Sequence, residues 1–553
     1  MNDLATFKIK SFPMMRSSLF LLLSGLLLCS CSTGEKESLV YDLVVYGSTP
    51  AGISAAIQAK RMEKSVVLIS PNEHLGGATT GGLTWTDYGR EETIGGLADE
   101  FYTRIKAHYD DPGSWKYEDR DQSPVYDPEA RYIRSFEPHV AMHFFQEMLE
   151  EVGVEVIFNE PLRRVEKEGA KISSIATSSG KIFSGRMFTD ATYEGDLMTM
   201  AGVSYHVGRE SEAQYGEDLA GVLGEKENYR QPKKYFGKEV DPYDDEGNLL
   251  PGIQDVEMGE PGEGDDKIQA YNFRMCLSRH PDNRIPITEP EGYDPWTYEL
   301  LARYIAVNPP ATLSDLIKVS PAPNLKTDIN DGCPFSTDYI GANWDYPEGD
   351  SATRAAITKD HIRFTKGLIY FIGHDDRVPE EVRKEMLEYG YPKDEYVDNG
   401  HWTPQLYIRE ARRMIGEYVM TQQDCQQDTL KETSAGIGSF GVDSHHLQRL
   451  VVNGEVMNEG NFLAEHHPYE IPYESLLPKR EDCSNLLVPV CLSASHIAFG
   501  SIRMEPVYMI LGQSAATAAM LALEEGTTLH ELSYDKLKTE LLNNGQKLKL
   551  ENE

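Results

Sequence analysis

The segment from Tyr41 to Ser70 constrains the fold more than any other stretch, because it reads as a strand, a glycine turn, a helix and a second strand in immediate succession. Leu43, Val44, Val45 and Tyr46 make a short apolar run that breaks at Gly47-Ser48-Thr49-Pro50-Ala51-Gly52. Ile53, Ala55, Ala56, Ile57 and Ala59 then supply the close-packing face of a helix, and Val66-Val67-Leu68-Ile69 reads as the next parallel strand. Gly47 permits a tight turn, while Gly52 lets the helix lie close to the sheet and brings its N-terminal amides up to a pyrophosphate. The segment predicts a nucleotide cradle. Two positions depart from the G-x-G-x-x-G pattern: Thr49 replaces the middle glycine and crowds the approach to phosphates, and Ser70 stands where an acid would hold ribose hydroxyls.

Directly after the second strand, His74-Leu75-Gly76-Gly77-Ala78-Thr79-Thr80-Gly81-Gly82 forms a loop flexible enough to lie flat along a ligand. With this loop the chain resembles the flavoprotein superfamily of glutathione reductase and the fumarate reductase flavoprotein. The stretches HLGGATTGGLTWTD, DATYEGDLMTMAGV, QAYNFRMCLS, YIREARRMIGEY, DSHHLQR and SASHIAFGSIRMEP are similar, more narrowly, to the secreted FAD-dependent oxidoreductase family often labelled xanthan lyase-like. The resemblance runs from about Asp42 to Leu523 and implies an α/β fold. A Rossmann-like FAD-binding domain (three-layer β/β/α, parallel sheet) would carry a large inserted α+β substrate or cap domain. It implies FAD as cofactor, held by Gly47, Ser48, Thr49, Pro50, Ala51, Gly52, Ser70, Gly76, Gly77, Thr80, Gly81, Gly82, Asp190, Ala191, Thr192, Ser495, Met504 and Glu505.

The rest of the chain reads in the same architecture. Pro138 to Val152 has helical spacing with Gly153 closing it, Val154 to Phe158 alternates as a strand, and strands and turns then lead to Arg186–Thr192. Gly195 follows three residues after Thr192. Asn485 to Val490 is a strand candidate, Ala494 to Pro506 a polar-rich turn, and Pro506 to Leu523 a long helix whose Gly512, Ala515, Ala516, Ala518 and Ala519 allow close approach to another element. The expected divisions are 41–207 and 434–525 for the nucleotide domain, 208–433 for the insert and 526–553 for a C-terminal tail helix. Within the insert, Trp296 to Val307 and His401 to Thr421 show helical patterns. Gly436 to Gly441 is a literal G-x-G-x-x-G, but neither an apolar strand nor an apolar helix flanks it, so it reads as a loop. Asp328 to Gly332 lacks the closing glutamate of a calcium loop and reads as a plain turn; no metal site is expected.

Lys8, Lys10 and Arg16 precede the apolar run Leu19 to Leu28, and Leu28-Cys29-Ser30-Cys31 matches a lipobox. Residues 1–31 therefore predict an exported bacterial lipoprotein of the cell envelope, touching the membrane only through a lipid anchor on Cys31. A net charge of −36 repels nucleic acid and disfavours polyanionic substrates. No C-x-x-C pair exists for redox relay or zinc, and Cys483 with Cys491 is a conceivable local bridge.

Oxidising an alcohol or amine carbon requires a hydride acceptor and a base for the heteroatom proton, a role that suits histidine. His496 in the return turn is the first candidate, followed by His445 and His446. Arg503 and Glu505 could pair with each other, cap the following helix or contact the cofactor. Arg274, and Arg409 with Arg413 at helical i, i+4 spacing, are candidate clamps for an anion or hydroxyl, with salt bridging as the alternative for the last two. The expected activity is hydride transfer from a small polar or carbohydrate-derived substrate to the flavin, with the electron acceptor left open. A polysaccharide lyase and a non-catalytic glycan-binding lipoprotein are the competing readings.

Overall fold

The strand β1 (Val40–Tyr46) runs through the centre of the sheet, its last four residues fully buried, in the computed structural model, which describes residues 40–224, 235–426 and 431–550. It pairs in parallel with β2 (Val66–Ile69), which pairs in parallel with β3 (Glu155–Ile157). On its other side, β4 (Leu162–Glu168), β5 (Lys171–Thr177) and β6 (Ile182–Asp190) form an antiparallel meander, and β6 returns alongside β1 in parallel. The order is β3-β2-β1-β6-β5-β4. β6 changes partners along its length: Ile182 to Ser184 face β5, while Phe188 and Thr189 face β7 (Leu486–Leu487) in parallel. Tyr46 is level with both Ile69 and Asp190, so Gly47, Ser70 and Ala191 all leave the sheet at one edge. This is a Rossmann-like α/β layer with a β-meander, as the sequence predicts.

The helix α1 (Pro50–Arg61) follows the first turn and packs against the long helix Glu505–Glu525, and both lie over β1 and β6. A Cβ on Gly512 would stand 2.7 Å from the Ala51 carbonyl carbon and nearer still to its oxygen. The small residues of the long helix therefore serve the close approach they suggest, and α1 is the element approached. Pro138–Val152 is helical, with Gly153 left-handed at φ 66° to end it. The region between Met200 and Ser434 mixes short strands with helices, among them Glu299–Val307 and Ser351–His374. Lys326 on the strand Lys326–Gly332 is buried, with its Nζ 2.7, 2.9 and 2.6 Å from carboxylate oxygens of Glu137, Asp394 and Glu395. That cluster ties the start of the 138–152 helix to the central region.

Several expectations give way to tertiary demands. The stretch His401 to Thr421 is not a helix: Tyr407 bridges Asn272, Arg413 pairs with His206 in a short ladder, and the intervening backbone is extended or irregular. Arg409 pairs with Asp338, and Arg413 with Glu210 and Glu410, from this non-helical backbone. Gly436 to Gly441 contains the end of the strand Ser434–Gly438 and a turn into Val442–Ser444, and glycine is needed there because Ile510 and Tyr469 fill the Cβ positions of Gly436 and Gly438. Asp328 to Gly332 is strand, paired with Ile317–Ala322. The return turn contains the helix His496–Ile502. Cys276, Cys333, Cys425, Cys483 and Cys491 are all buried free thiols, so the conceivable Cys483–Cys491 bridge is absent. The lipobox, with Cys31, lies outside the described residues.

Candidate functional site

The turn after β1 is built to leave donors open. Gly47 adopts φ 107°, and a Cβ there would lie 2.5 Å from the Ala191 carbonyl carbon. Thr49 occupies the N-cap of α1 but caps nothing: its hydroxyl donates to the Ala191 carbonyl at 2.7 Å. Pro50 has no N–H, so the amides of Ala51 and Gly52 head the helix without intrahelical acceptors, at its positive end. A cleft opens beside this turn, walled by Gly47, Ser48, Thr49, Pro71, Asn72, His74, Gly77, Thr192, Tyr193, Glu194 and Gln405. Ser48 joins two of its walls, with its hydroxyl 2.8 Å from Ser70 Oγ and its carbonyl accepting from Gly76 N–H at 2.8 Å. Asp190 braces the third wall by accepting from the Thr192 amide and hydroxyl and the Met198 amide. Burial outweighs those bonds and lifts its carboxyl to about 6.

From the cleft, the segment Thr403 to Tyr407 leads to a second cluster. Thr403 donates to the Gly81 carbonyl, Gln405 lines the cleft, and Tyr407, two residues later, bridges Asn272. Three guanidiniums surround Tyr407: Arg409 and Arg274 lie 5.0 and 5.6 Å from its ring centre, and Arg503 Nη1 lies 3.5 Å from its hydroxyl. Each cation has its own carboxylate. Arg274 Nε reaches Asp328 at 2.9 Å, Arg409 Nη2 reaches Asp338 at 2.9 Å, and Arg503 Nη2 reaches Asp443 at 3.0 Å. The second oxygen of Asp338 holds His445 Nδ1 at 2.7 Å, and His445 Nε2 lies 3.7 Å from Asp443. Burial would raise Asp338, but Arg409 and His445 overcome it and hold the carboxyl far below the usual range. Asp87 faces this cluster deep in the fold yet stays partly accessible, and among the described residues nothing hydrogen-bonds or ion-pairs with its carboxylate. Burial raises it, Arg274 lowers it in part, and Asp443 and Asp328 raise it further.

The family model described as FAD dependent oxidoreductase matches residues 42–541. The chain belongs to the FAD-dependent oxidoreductase family. No curated protein matches it significantly. Among solved structures, it is similar to a bacillithiol disulfide reductase from Staphylococcus aureus (17% identity over 31% of this chain and 40% of that one, TM-score 0.19). It is also similar to an L-proline dehydrogenase from P. horikoshii (15%, 32% and 59%, TM-score 0.23) and a thioredoxin reductase from Streptococcus pyogenes (21%, 32% and 40%, TM-score 0.17). The chain spans less than two thirds of each of these solved chains.

FAD is the cofactor of this family, and the first turn fits it: the open Ala51 and Gly52 amides suit a pyrophosphate, and the Gly47 position tolerates no side chain. Of the other residues read from the sequence, Gly47, Ser48, Thr49, Gly77 and Thr192 line the cleft, with Ser70 beneath Ser48. The glycine loop touches the cleft through Gly77. Gly77–Thr80 coils into one helical turn, Thr80 bonds the Leu75 carbonyl, and Gly81 and Gly82 pack against Gln405, Thr403 and Arg274 instead of lying open along a ligand. Glu505 opens the long helix behind Met504 and accepts from Thr79 Oγ1 at 2.9 Å and Tyr193 hydroxyl at 2.8 Å. Burial lifts it to about 7 against those two bonds. It does not pair with Arg503.

The three histidines separate clearly. His496 is enclosed, with Nδ1 2.8 Å from Glu410, Nε2 3.3 Å from Ser444 Oγ, and Ser495 capping its helix while bonding Glu217. Glu410 is brought down to about 2, burial being outweighed by His496 and Arg413. Burial holds His446 at about 4, neutral. His445 alone keeps a free edge, its side chain 12% exposed. Arg413 is committed to Glu210 and Glu410. Sequence reasoning missed Asp87, Asp338, Asp443, Tyr407 and Gln405. Asp87 closes the quoted HLGGATTGGLTWTD stretch, the one signal that could have found it.

Proposed function

We propose that the protein oxidises a small polar or carbohydrate-derived substrate bound beside Tyr407, with His445 as the base and the 208–433 region closing over the site. The observation that carries this reading is the His445–Asp338 pair facing a partly accessible cluster around Tyr407, two residues along the chain from Gln405 of the nucleotide cleft. Bound FAD supplies the acceptor for the substrate hydride. His445 Nδ1–H donates to Asp338, which leaves the Nε2 lone pair to take the proton from the substrate oxygen or nitrogen. The imidazolium so formed stands between Asp338 and Asp443, and both carboxylates stabilise it. Arg503, held by Asp443, and the Tyr407 hydroxyl orient polar groups of the substrate, and Asp87 accepts its hydrogen bonds. The export and lipid anchoring read from residues 1–31 belong to the same proposal. An enzyme of the envelope working on polar molecules is consistent with a net charge of −36, which keeps it clear of polyanions.

The test is anaerobic mixing of the yellow holoprotein with a panel of sugars, glycosides, hydroxy acids and amines. Flavin bleaching by one class is expected, and His445→Ala should slow it by about 100-fold or more with bound flavin unchanged. Bleaching at the wild-type rate in that variant removes His445 as base. Eliminative cleavage of a uronate polymer with no bleaching overturns the oxidase reading altogether.

A further inference from the structure

Ser70 leaves the end of β2 without the carboxylate that ribose hydroxyls ordinarily meet there. The same cleft contains another carboxylate. Glu194 lies on its wall across from Gly47 and Asn72, in the turn that carries the chain away from β6. The turn is fixed on both sides of it: Thr192 Oγ1 accepts from the Gly195 amide at 3.0 Å, Gly195 adopts φ 70°, and the Glu194 carbonyl accepts from Arg412 at 3.2 Å. Tyr346 hydroxyl donates to Glu194 Oε1 at 3.2 Å, and among the described residues no other side chain hydrogen-bonds to its carboxylate.

The neighbouring cations are already engaged. Arg354 grips Asp196 through two bonds of 2.8 and 2.9 Å, and Arg412 divides itself between Asp196 and Glu348. Glu194 thus sits deep in the fold, partly accessible and, among the described residues, without an ion pair. Burial and the charge of Asp196 raise its carboxyl, and Arg354 offsets this only in part. Hydroxyl groups suit such a carboxylate. A phosphate would repel it, whereas a pair of hydroxyls donates to a carboxylate with charge-assisted strength and relieves the cost of its desolvation. Gln405, on the same cleft, adds an amide able to donate and accept.

We propose that Glu194 is the carboxylate that holds the hydroxyls of FAD, either on its adenosine ribose or on its ribityl chain, and so supplies from the turn after β6 what Ser70 cannot supply from β2. The inference rests on the assignment of FAD to this cleft. It is tested on the full-length protein stripped of flavin, by titrating FAD, ADP and riboflavin and following fluorescence quenching or heat. Glu194→Ala should weaken FAD at least tenfold, and Glu194→Gln, which keeps the Tyr346 bond, should weaken it less. A parallel loss with ADP alone assigns the ribose, and with riboflavin alone the ribityl chain. If folded Glu194→Gln and Glu194→Ala, or Glu194→Gln alone where the alanine variant does not fold, bind FAD as tightly as the wild type, the proposal is wrong. Wild-type protein that takes up no FAD would overturn the cofactor assignment instead.

Discussion

Replacing Glu505 with glutamine should remove a pH dependence from the stability of the fold. Glu505 is buried at the start of the long helix, between Thr79 and Tyr193, and its carboxyl titrates near 7 in place of the 4.5 of a free glutamate. The folded protein therefore keeps a proton that the unfolded chain releases. The stabilisation from this group is full below about pH 4.5, falls as the pH rises, and is lost above about 7. At roughly 1.4 kcal/mol per tenfold change, the difference is about 3 kcal/mol. Glutamine has the same shape and no charge. At low pH the variant gives up at most about 1 kcal/mol of hydrogen bonding, and at high pH it escapes the cost of a buried ion. Urea unfolding of flavin-free wild type and Glu505→Gln at pH 5 and pH 8 isolates the effect, because other buried acids such as Asp190 are common to both. The variant should gain on the wild type by about 2 to 3 kcal/mol between the two pH values. A difference that stays constant within about 0.5 kcal/mol would refute the reasoning and show that Glu505 is ionised throughout.

Gly512→Ala places a methyl against Ala51 and forces the two helices apart; a loss of about 1 to 3 kcal/mol is expected despite the better helix propensity of alanine, together with faster FAD release, and a wild-type melting curve with normal flavin content would count against the close-approach argument. His496→Ala strips Glu410 of its main partner in a closed site and should cost about 3 kcal/mol or more of stability, with the loss visible in urea midpoints of the flavin-free protein. Lys326→Met leaves Glu137, Asp394 and Glu395 facing one another and should lower soluble yield sharply at pH 8; yield and melting temperature equal to wild type would show that the cluster is protonated instead of paired.

The parts of the fold that were legible in the sequence are those fixed by local chemistry. The β1–α1–β2 unit, the 138–152 helix with its glycine stop, the meander and the long alanine-rich helix all follow from apolar period and turn residues. The misread segments answer to tertiary partners. The 401–421 stretch has a helical period, but its arginines answer to Asp338, Glu210 and Glu410, and buried charge pairing overrides local preference. Candidate chemistry was harder still. His445 was visible as a residue type, but the carboxylate that orients it is Asp338, 107 positions away. Asp87 ends a glycine- and threonine-rich stretch that gives no sign of its setting, and what distinguishes it is the lack, among the described residues, of a hydrogen-bond or ion-pair partner beside Arg274, Arg409 and Arg503, each of which has a carboxylate.

The divided partnership of β6 has a consequence for how the molecule is assembled. Phe188 and Thr189 present their backbone edge to Leu486 and Leu487, nearly three hundred residues further along. Until that late piece arrives, the half-built sheet offers an open template to any other extended peptide. A nascent chain arrested before Leu486 should accordingly be sticky, and synthesis of the last eighth of the sequence should convert it into a self-contained object.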